Sequence, residues 1–210
     1  MNKTYVFIDA SNLFYGGKGS LGWNIDYEKL AEYLKGKYDA NKLFYFGGVE
    51  TYGFCFDYLK NDHVDLDELY EWVSNYIKEK AITLNEAELL LIGRHLDRIK
   101  FYKKLKSFGY NLYLKPVKLY VQEDGTTKRK ANCDVDMTFY LMKEMKNFDR
   151  VIILSGDGDF LPVLKYLREL NKEIIILARG ERTAKEIRQF AGANFRDFIR
   201  LENRISFIKK

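Results

Sequence analysis

The sequence is poor in the residues that build several common kinds of site. Its 210 residues include two cysteines, two prolines and two histidines. Cys55 and Cys133 form no CxxC pair, so neither a zinc site nor a disulfide framework is supported, and a reducing compartment is expected. So little proline also argues against a Pro-rich linker or an extended disordered segment.

Familiar catalytic signatures are missing as well. His63 and His95 both fall in a region of helical pattern, which argues against a paired-histidine nuclease. The chain has no GxSxG elbow, and neither cysteine has a plausible histidine partner. Residues 17–22, "GKGSLG", match GxGxxG literally, but they lie well past the first strand. We therefore interpret them as a loop and not as a dinucleotide site.

Long apolar runs are also absent, and none could span a bilayer. The strand pattern "TYVFID" begins at Thr4, so we expect no signal peptide and a cytoplasmic location. The composition, with 47% hydrophobic and 31% charged residues, is that of an ordinary globular protein. We expect a single domain over residues 1–210.

What the sequence does contain is a mild excess of positive charge. The formal net charge is +5 and the isoelectric point is about 8.9. Basic residues cluster between residues 98 and 106, and "KRK" at 128–130 stands just before an acidic cluster. Such runs are usually solvated faces; the alternative is a nucleic-acid surface.

Short apolar runs predict buried strands at residues 5–9, 43–49, 111–121, 150–155 and 173–177. Helical patterns lie at 27–37, 135–146, 160–170 and 183–191. This alternation predicts an α/β fold, a three-layer α/β/α sandwich with a mostly parallel central sheet.

Two further features interrupt this alternation. Residues 57–95 predict an inserted pair of amphipathic helices, the second opened by Thr83 and Glu86 as a capping box. The pair serves as extra packing surface, as a substrate platform, or as a contact in a homo-oligomer. In "QEDGTTKRK", Asp124-Gly125 predicts a hairpin that ends in Lys128, Arg129 and Lys130.

Aspartates recur at the ends of predicted strands. Asp9 ends the first strand, and Asp157 and Asp159 follow the strand at 150–155. Asp134 and Asp136 open the helix that comes after the predicted hairpin. In an open parallel sheet the carboxyl ends of the strands line one edge, where ligands bind. Carboxylates gathered there repel one another, and Mg²⁺ or Mn²⁺ would compensate and could polarise a phosphodiester oxygen.

Each of these polar residues also has a local explanation. An aspartate between a strand and a helix is commonly an N-cap, as Asp134 and Asp159 would be. Asn12 either caps locally or orients a water or phosphate, and Ser155 either donates to a carboxylate or ends its strand. We expect Gly156 and Gly158 to let the backbone turn tightly, so that Asp157 faces the edge.

Three stretches together resemble a known family. "YVFIDASNLF", "KANCDVDM" and "VIILSGDGDFLPVLKYLRELNKEIIIL" resemble the NYN domain family, the LabA-like (DUF88) branch of PIN-like nucleases. The resemblance covers most of the chain outside residues 57–95. It implies a PIN-like α/β sandwich and metal-dependent cleavage of RNA.

The resemblance also assigns roles. Asp9, Asp134 and Asp157 would be the catalytic carboxylates that hold the metal. Asp136 and Asp159 would support them directly or through water, and Asn12 matches the family's asparagine after the first strand.

The leading hypothesis is therefore a ribonuclease that depends on Mg²⁺ or Mn²⁺ and uses metal-activated water. Lys128, Arg129 and Lys130, together with Lys115, would steer the RNA backbone. Two alternatives stay open: a non-catalytic RNA-binding or regulatory module with the same fold, and a small-molecule phosphohydrolase. Against the last, "DAS" after the first strand lacks the second Asp expected beside a phosphorylated nucleophile.

Overall fold

The computed structural model describes residues 3–14, 22–80, 82–122 and 124–208, without the side chains of residues 14 and 128–130. The chain divides into two compact units. The first comprises the residues up to 46, residues 108–111 and the residues from 133 onward; the second comprises residues 47–107 and 112–132. The loop predicted for residues 17–22 lies, apart from Gly22, outside the described residues, and the assignment of one domain to the chain stays a prediction.

Strands and helices alternate over much of the described chain. The strands are β1 (Thr4–Asp9), β2 (Ala40–Val49), β3 (Tyr110–Pro116), β4 (Lys118–Val121), β5 (Thr127–Lys130), β6 (Arg150–Leu154), β7 (Glu173–Ala178) and β8 (Phe195–Asp197). The helices are α1 (Ala10–Phe14), α2 (Tyr27–Tyr38), α3 (Leu66–Lys80), α4 (Glu86–Ser107), α5 (Asp134–Glu144), α6 (Leu161–Glu169), α7 (Lys185–Ala191) and α8 (Glu202–Ile205). Short 3₁₀ turns lie at Gly158–Phe160, Gly180–Arg182, Gly192–Asn194 and Phe198–Leu201.

A six-stranded sheet, counted over the described residues, has the order β3-β2-β1-β6-β7-β8. Strand β1 pairs in parallel with β2 and β6, β6 pairs in parallel with β7, and β7 with β8. The predicted α/β class with a mostly parallel central sheet is confirmed. Because β1, β6 and β7 are parallel neighbours, the residues that follow them emerge at one edge of the sheet.

The core of the first unit is built around β1. All six of its residues are buried, as expected of a central parallel strand with both faces covered. The ring of Phe7 stacks on Phe44, with the ring centroids 4.7 Å apart. Leu154 and Ile176, on the neighbouring strands β6 and β7, are also almost fully buried. This packing fixes the strands whose ends carry the candidate site.

The second unit contains the predicted helical pair, which the structure confirms as α3 and α4. The pair is longer than expected, since α4 continues to Ser107. Leu69, Val73 and Ile99 are fully buried, and the hydroxyl of Tyr102 donates to the carbonyl oxygen of Gly48 at 2.8 Å. None of the helices in the described ranges has both the length and the apolar character needed to cross a bilayer.

The capping box of α4 lies two residues later than predicted. The side chain of Asn85 accepts from the backbone N–H of Glu88, and the Glu88 carboxylate accepts from the N–H of Asn85, both at 3.0 Å. The hydroxyl of Thr83 instead donates to the carbonyl of Lys80 at the end of α3. The prediction from Thr83 and Glu86 was wrong because α4 begins at Glu86, which places Asn85 at the cap position.

The strand predicted over residues 111–121 is in fact two strands in different sheets. Strand β3 ends at Pro116, which has no N–H to continue a ladder. The N–H of Val117 still donates to Val49 at 2.9 Å, after which β4 pairs antiparallel with β5. The predicted hairpin is thereby confirmed, with Gly125 at φ 77° in its turn.

Candidate functional site

Asp9 is a buried carboxylate at the end of β1, with 3% of its surface exposed. Its Oδ1 accepts from the backbone N–H of Ser11 at 2.9 Å, the hydroxyl of Ser11 at 2.6 Å and the N–H of Asn12 at 3.3 Å. These donors belong to the first turn of α1, so Asp9 closes the start of that helix. The carboxylate is therefore held in one orientation.

Ser155 connects the end of β6 to Asp9. Its hydroxyl donates to Oδ2 of Asp9 and accepts from the N–H of Asp157, each at 3.2 Å. A second connection runs from the N–H of Gly156 to Oδ1 of Asn12, at 3.3 Å. These two contacts join the loop that carries Asp157 to the end of β1, so the sequence-predicted residues Asn12 and Ser155 both position the site.

Asp157, and not Asp159, caps a turn in this loop. Asp157 is the N-cap of the 3₁₀ turn Gly158–Phe160, and its Oδ1 accepts from the N–H of Asp159 at 3.0 Å. Asp159 is exposed, and Phe160, not Asp159, occupies the cap position of α6. The expectation that Asp159 caps α6 was wrong because this 3₁₀ turn intervenes before the helix begins.

Asp134 and Asp136 lie in the first turn of α5 and are half-buried. The cap position belongs to Cys133, so Asp134 is not the N-cap of this helix. Helix α5 packs against β1 and against the 3₁₀ turn that follows Asp157. The first turn of α5 therefore belongs to the same unit as the ends of β1 and β6, and the convergence of its carboxylates with Asp9 and Asp157 stays a prediction.

The candidate carboxylates do not form a metal cage within the described residues. Over the described part of the chain, no three side chains of His, Cys, Asp or Glu are grouped closely enough to hold a metal ion. The candidate ligands are nevertheless all oxygen donors, the type that Mg²⁺ and Mn²⁺ prefer. The assignment of Asp9, Asp134 and Asp157 as metal ligands stays a prediction.

The end of β7 contributes groups that the sequence analysis missed. Arg179 directly follows β7 and is buried, with 6% of its surface exposed. Burial lowers the pKa of its guanidinium from the ordinary value, and nearby Arg182 adds to the lowering. The hydroxyl of Thr183 donates to the carbonyl of Arg179 at 2.6 Å. Applying the strand-end argument to "EIIILAR" would have found Arg179.

Gly156 and Gly158 permit close packing and not an unusual backbone turn, since neither has a positive φ. A Cβ at Gly156 would lie 2.7 Å from Oγ1 and 2.9 Å from Cα of Thr183. A Cβ at Gly158 would collide with the carboxylate of Glu186. The segment 183–186 lies directly on this loop and leaves no room for a side chain at either glycine, and the expectation that these glycines let Asp157 face the edge stays a prediction.

The predicted RNA-contacting residues belong to the second unit. Lys115 is half-buried on β3, and residues 128–130 form most of β5. The structure gives the backbone of Lys128, Arg129 and Lys130 but does not describe their side chains. Their role in binding RNA stays a prediction.

Comparison with known proteins identifies the family. The sequence model of the NYN domain family matches residues 3–199. The chain belongs to the NYN domain family. This confirms the resemblance drawn from the strand-end motifs.

Two further proteins are similar to this NYN domain, one in sequence and one in structure. It is 27% identical over 211 residues to the "Low amplitude and bright protein LabA" of Synechococcus elongatus, an alignment that covers 100% of this chain and 89% of that protein. It is also similar to the crystal structure of a protein of unknown function from Vibrio parahaemolyticus. That match has a TM-score of 0.56 and 18% identity, over 92% of this chain and 91% of the other. The second likeness supports the fold.

Proposed function

We propose that this NYN domain hydrolyses phosphodiester bonds of RNA at the sheet edge where β1 and β6 end. NYN domains are generally nucleases. The observation that supports the proposal best is Asp9, a buried carboxylate with a fixed orientation that is tied through Ser155 to the loop bearing Asp157. Such an arrangement is more elaborate than a helix cap requires.

The hydrogen bonds of Asp9 leave it able to bind a further group. Burial of a carboxylate is costly unless donors satisfy it. Oδ1 accepts three hydrogen bonds, whereas Oδ2 accepts one, from Ser155, among the contacts of the described residues. A carboxylate oxygen has two lone-pair directions, so Oδ2 retains capacity for a cation or a water.

A single Mg²⁺ or Mn²⁺ ion fits this donor set. Mg²⁺ is usually held by one or two protein carboxylates, several waters and the phosphates of the substrate, and it does not need a cage of three. Asp9 and Asp157 are the pair we expect to bind it, with Asp134 as the third carboxylate. The bound ion would polarise the phosphodiester oxygen and activate a bound water as the nucleophile.

The surrounding residues have supporting roles in this proposal. Asn12 and Ser155 hold the two strand ends in register, so that Asp9 and Asp157 keep a constant separation. Asp136 and Asp159 would orient water near the ion. The phosphates of the RNA would be contacted by Lys115, Lys128, Arg129 and Lys130. We also propose that the protein is located in the cytoplasm. Self-association through α3 and α4 has no support in these observations and is not part of it.

Cleavage of an end-labelled RNA tests the assignment. We expect cleavage with Mn²⁺ or Mg²⁺, none with EDTA, and a loss of about 100-fold or more in rate for Asp9→Asn and Asp157→Asn. Asp149→Asn is the matched control, because Asp149 is an exposed aspartate at the opposite end of β6 that accepts from the N–H of Lys3. Equal rates for the wild type and both site variants would rule out this site.

A non-catalytic RNA-binding module is the second candidate. It needs no metal ion, and the formal net charge of +5 would favour binding of a polyanion. It predicts RNA binding that weakens steeply with salt and no cleavage with any divalent ion. A screen of phosphate monoesters in the same assay would reveal the third candidate, a small-molecule phosphohydrolase.

A further inference from the structure

The ribbon formed by β4 and β5 presents an unusually open surface. All four residues of β4 are exposed, including Leu119 at 58%, Tyr120 at 52% and Val121 at 74%. Its base is fixed, since a Cβ at Gly48 would overlap Ala131 and lie 2.9 Å from Val117. A two-stranded ribbon with both faces open is marginally stable, and exposed apolar groups of this kind often mark a binding surface.

The register of the ribbon separates its residues into two chemically different faces. Directly opposed positions share a face, and successive positions alternate between faces. Lys118 is opposite Lys130 and Tyr120 is opposite Lys128, which defines the lysine–tyrosine face. The other face has Leu119 opposite Arg129 and Val121 opposite Thr127. One face therefore combines three lysine positions with a single aromatic residue.

A second exposed tyrosine adjoins the lysine–tyrosine face. The ammonium group of Lys118 lies 5.2 Å from the centroid of the Tyr58 ring, a cation–π contact. Tyr58 is 57% exposed, and Phe56 packs against it edge-on, with centroids 4.8 Å apart. Two accessible aromatic rings thus lie next to cationic positions within the second unit.

The acidic residues near this surface are engaged locally. Asp124, in the hairpin turn, accepts from the N–H and hydroxyl of Thr126 at 2.9 and 2.6 Å, and these hydrogen bonds lower the pKa of its carboxyl. Asp57 accepts from the N–H of Leu59 at 3.0 Å and pairs with Lys60 at 3.4 Å. Both carboxylates therefore have local partners of their own.

We propose that the lysine–tyrosine face, together with Tyr58, binds an unpaired strand of nucleic acid. Bases would stack on Tyr120 and Tyr58, and phosphates would meet Lys118, Lys128 and Lys130. Proteins that hold single strands without reading sequence combine these same two elements. The bases of a duplex are already stacked on one another, so their faces are not accessible to the tyrosine rings. RNA as the ligand rests on the proposed function, whereas the location of the face rests on the register and exposure of the ribbon.

Fluorescence anisotropy of a labelled, unstructured 12-nucleotide RNA tests this, with EDTA present so that no cleavage occurs. We expect Tyr120→Leu to weaken binding about fivefold or more, and Tyr120→Phe to restore it, because stacking needs the ring and not the hydroxyl. Lys118→Gln should reduce the salt dependence of binding by about 0.7 in log–log slope. Tyr70→Leu is the matched control, since Lys103 lies 4.8 Å from the Tyr70 ring on the helical pair.

Three results would overturn the proposal. Equal RNA affinity of wild type and Tyr120→Leu would show that no base stacks on Tyr120. If Tyr120→Leu lost as much affinity for a 12-base-pair duplex as for the unpaired RNA, the ribbon would bind nucleic acid without stacking on unpaired bases. A wild-type dimer that Tyr120→Leu converts to a monomer in sedimentation would show that a second copy of the chain occupies the surface. Normal cleavage by Asp157→Asn together with weak binding by Tyr120→Leu would refute the proposed active site and leave this inference intact.

Discussion

The contact between Gly156 and Thr183 gives the sharpest test of how the candidate site is held. In Gly156→Ala, the new methyl carbon would lie 2.7 Å from Oγ1, 2.9 Å from Cα and 3.1 Å from Cβ of Thr183. Rotating the Thr183 side chain cannot relieve the approach to Cα, which is backbone. The segment must move, although the N–H of Ala184 donates to the carbonyl of Gly156 at 2.9 Å.

The expected loss of stability can be estimated because the new methyl group approaches the backbone of Thr183. Overpacking by one methyl group in a closely packed region costs about 1–3 kcal/mol. For a chain of this length, each 1 kcal/mol corresponds to about 2–4 °C in Tm. We therefore expect Gly156→Ala to lower Tm by about 2–12 °C.

Thermal and urea unfolding followed by circular dichroism would measure this. Gly36→Ala is the matched control, because Gly36 lies within α2 and a Cβ there would meet nothing within 4 Å. Alanine at that helical position should stabilise the protein by about 0.4–1 kcal/mol. A Tm for Gly156→Ala at or above the wild-type value would show that the loop is looser than the structure indicates, and that the reasoning about close packing is mistaken.

Two further predictions concern the framework around the site. Burial raises the pKa of the Tyr110 hydroxyl well above its ordinary value, and that hydroxyl donates to the carbonyl of Tyr27 at 2.7 Å. Its contribution to stability is present below about pH 10, the unfolded-state pKa, and is lost as the pH rises further. Urea unfolding from pH 8 to 11 should show a steeper alkaline loss for wild type than for Tyr110→Phe, with Tyr110→Phe about 1 kcal/mol less stable at pH 8. Asn85→Ala should destabilise the protein by about 0.5–2 kcal/mol by removing the cap of α4. Thr83→Ala should cost clearly less, and a larger loss for Thr83→Ala would restore the cap predicted from the sequence.

The central strands could be predicted because their sequences leave little choice. Runs such as "VIIL" in β6 and "IIIL" in β7 are apolar at successive positions, which suits strands buried on both faces. Strand direction then followed from the intervening helices, and with it the common edge where Asp9 and the loop bearing Asp157 meet. Long-range order in this part of the molecule is thus encoded in local composition.

Other features depend on how the chain continues and on which segments pack together. A local sequence pattern does not contain this information. "NLYLKPVKLYV" remains extended throughout, yet its two halves pair with different partners on either side of Val117. Either Thr83 with Glu86 or Asn85 with Glu88 has the spacing of a capping box, and only the start of α4 decides between them. Likewise, the packing of Thr183 on Gly156 joins distant segments and leaves no periodic trace in the sequence.

The ribbon of β4 and β5 has a consequence for the behaviour of the protein in solution. Within the described chain these strands pair only with each other, so each has an open edge able to accept another strand. Lysine and arginine at such an edge discourage strand addition by mutual repulsion. Salt shortens the reach of that repulsion, from about 8 Å at physiological ionic strength to about 3 Å at 1 M. Ionic strength therefore sets two properties of the ribbon together: its attraction for a polyanion and its resistance to pairing with another ribbon.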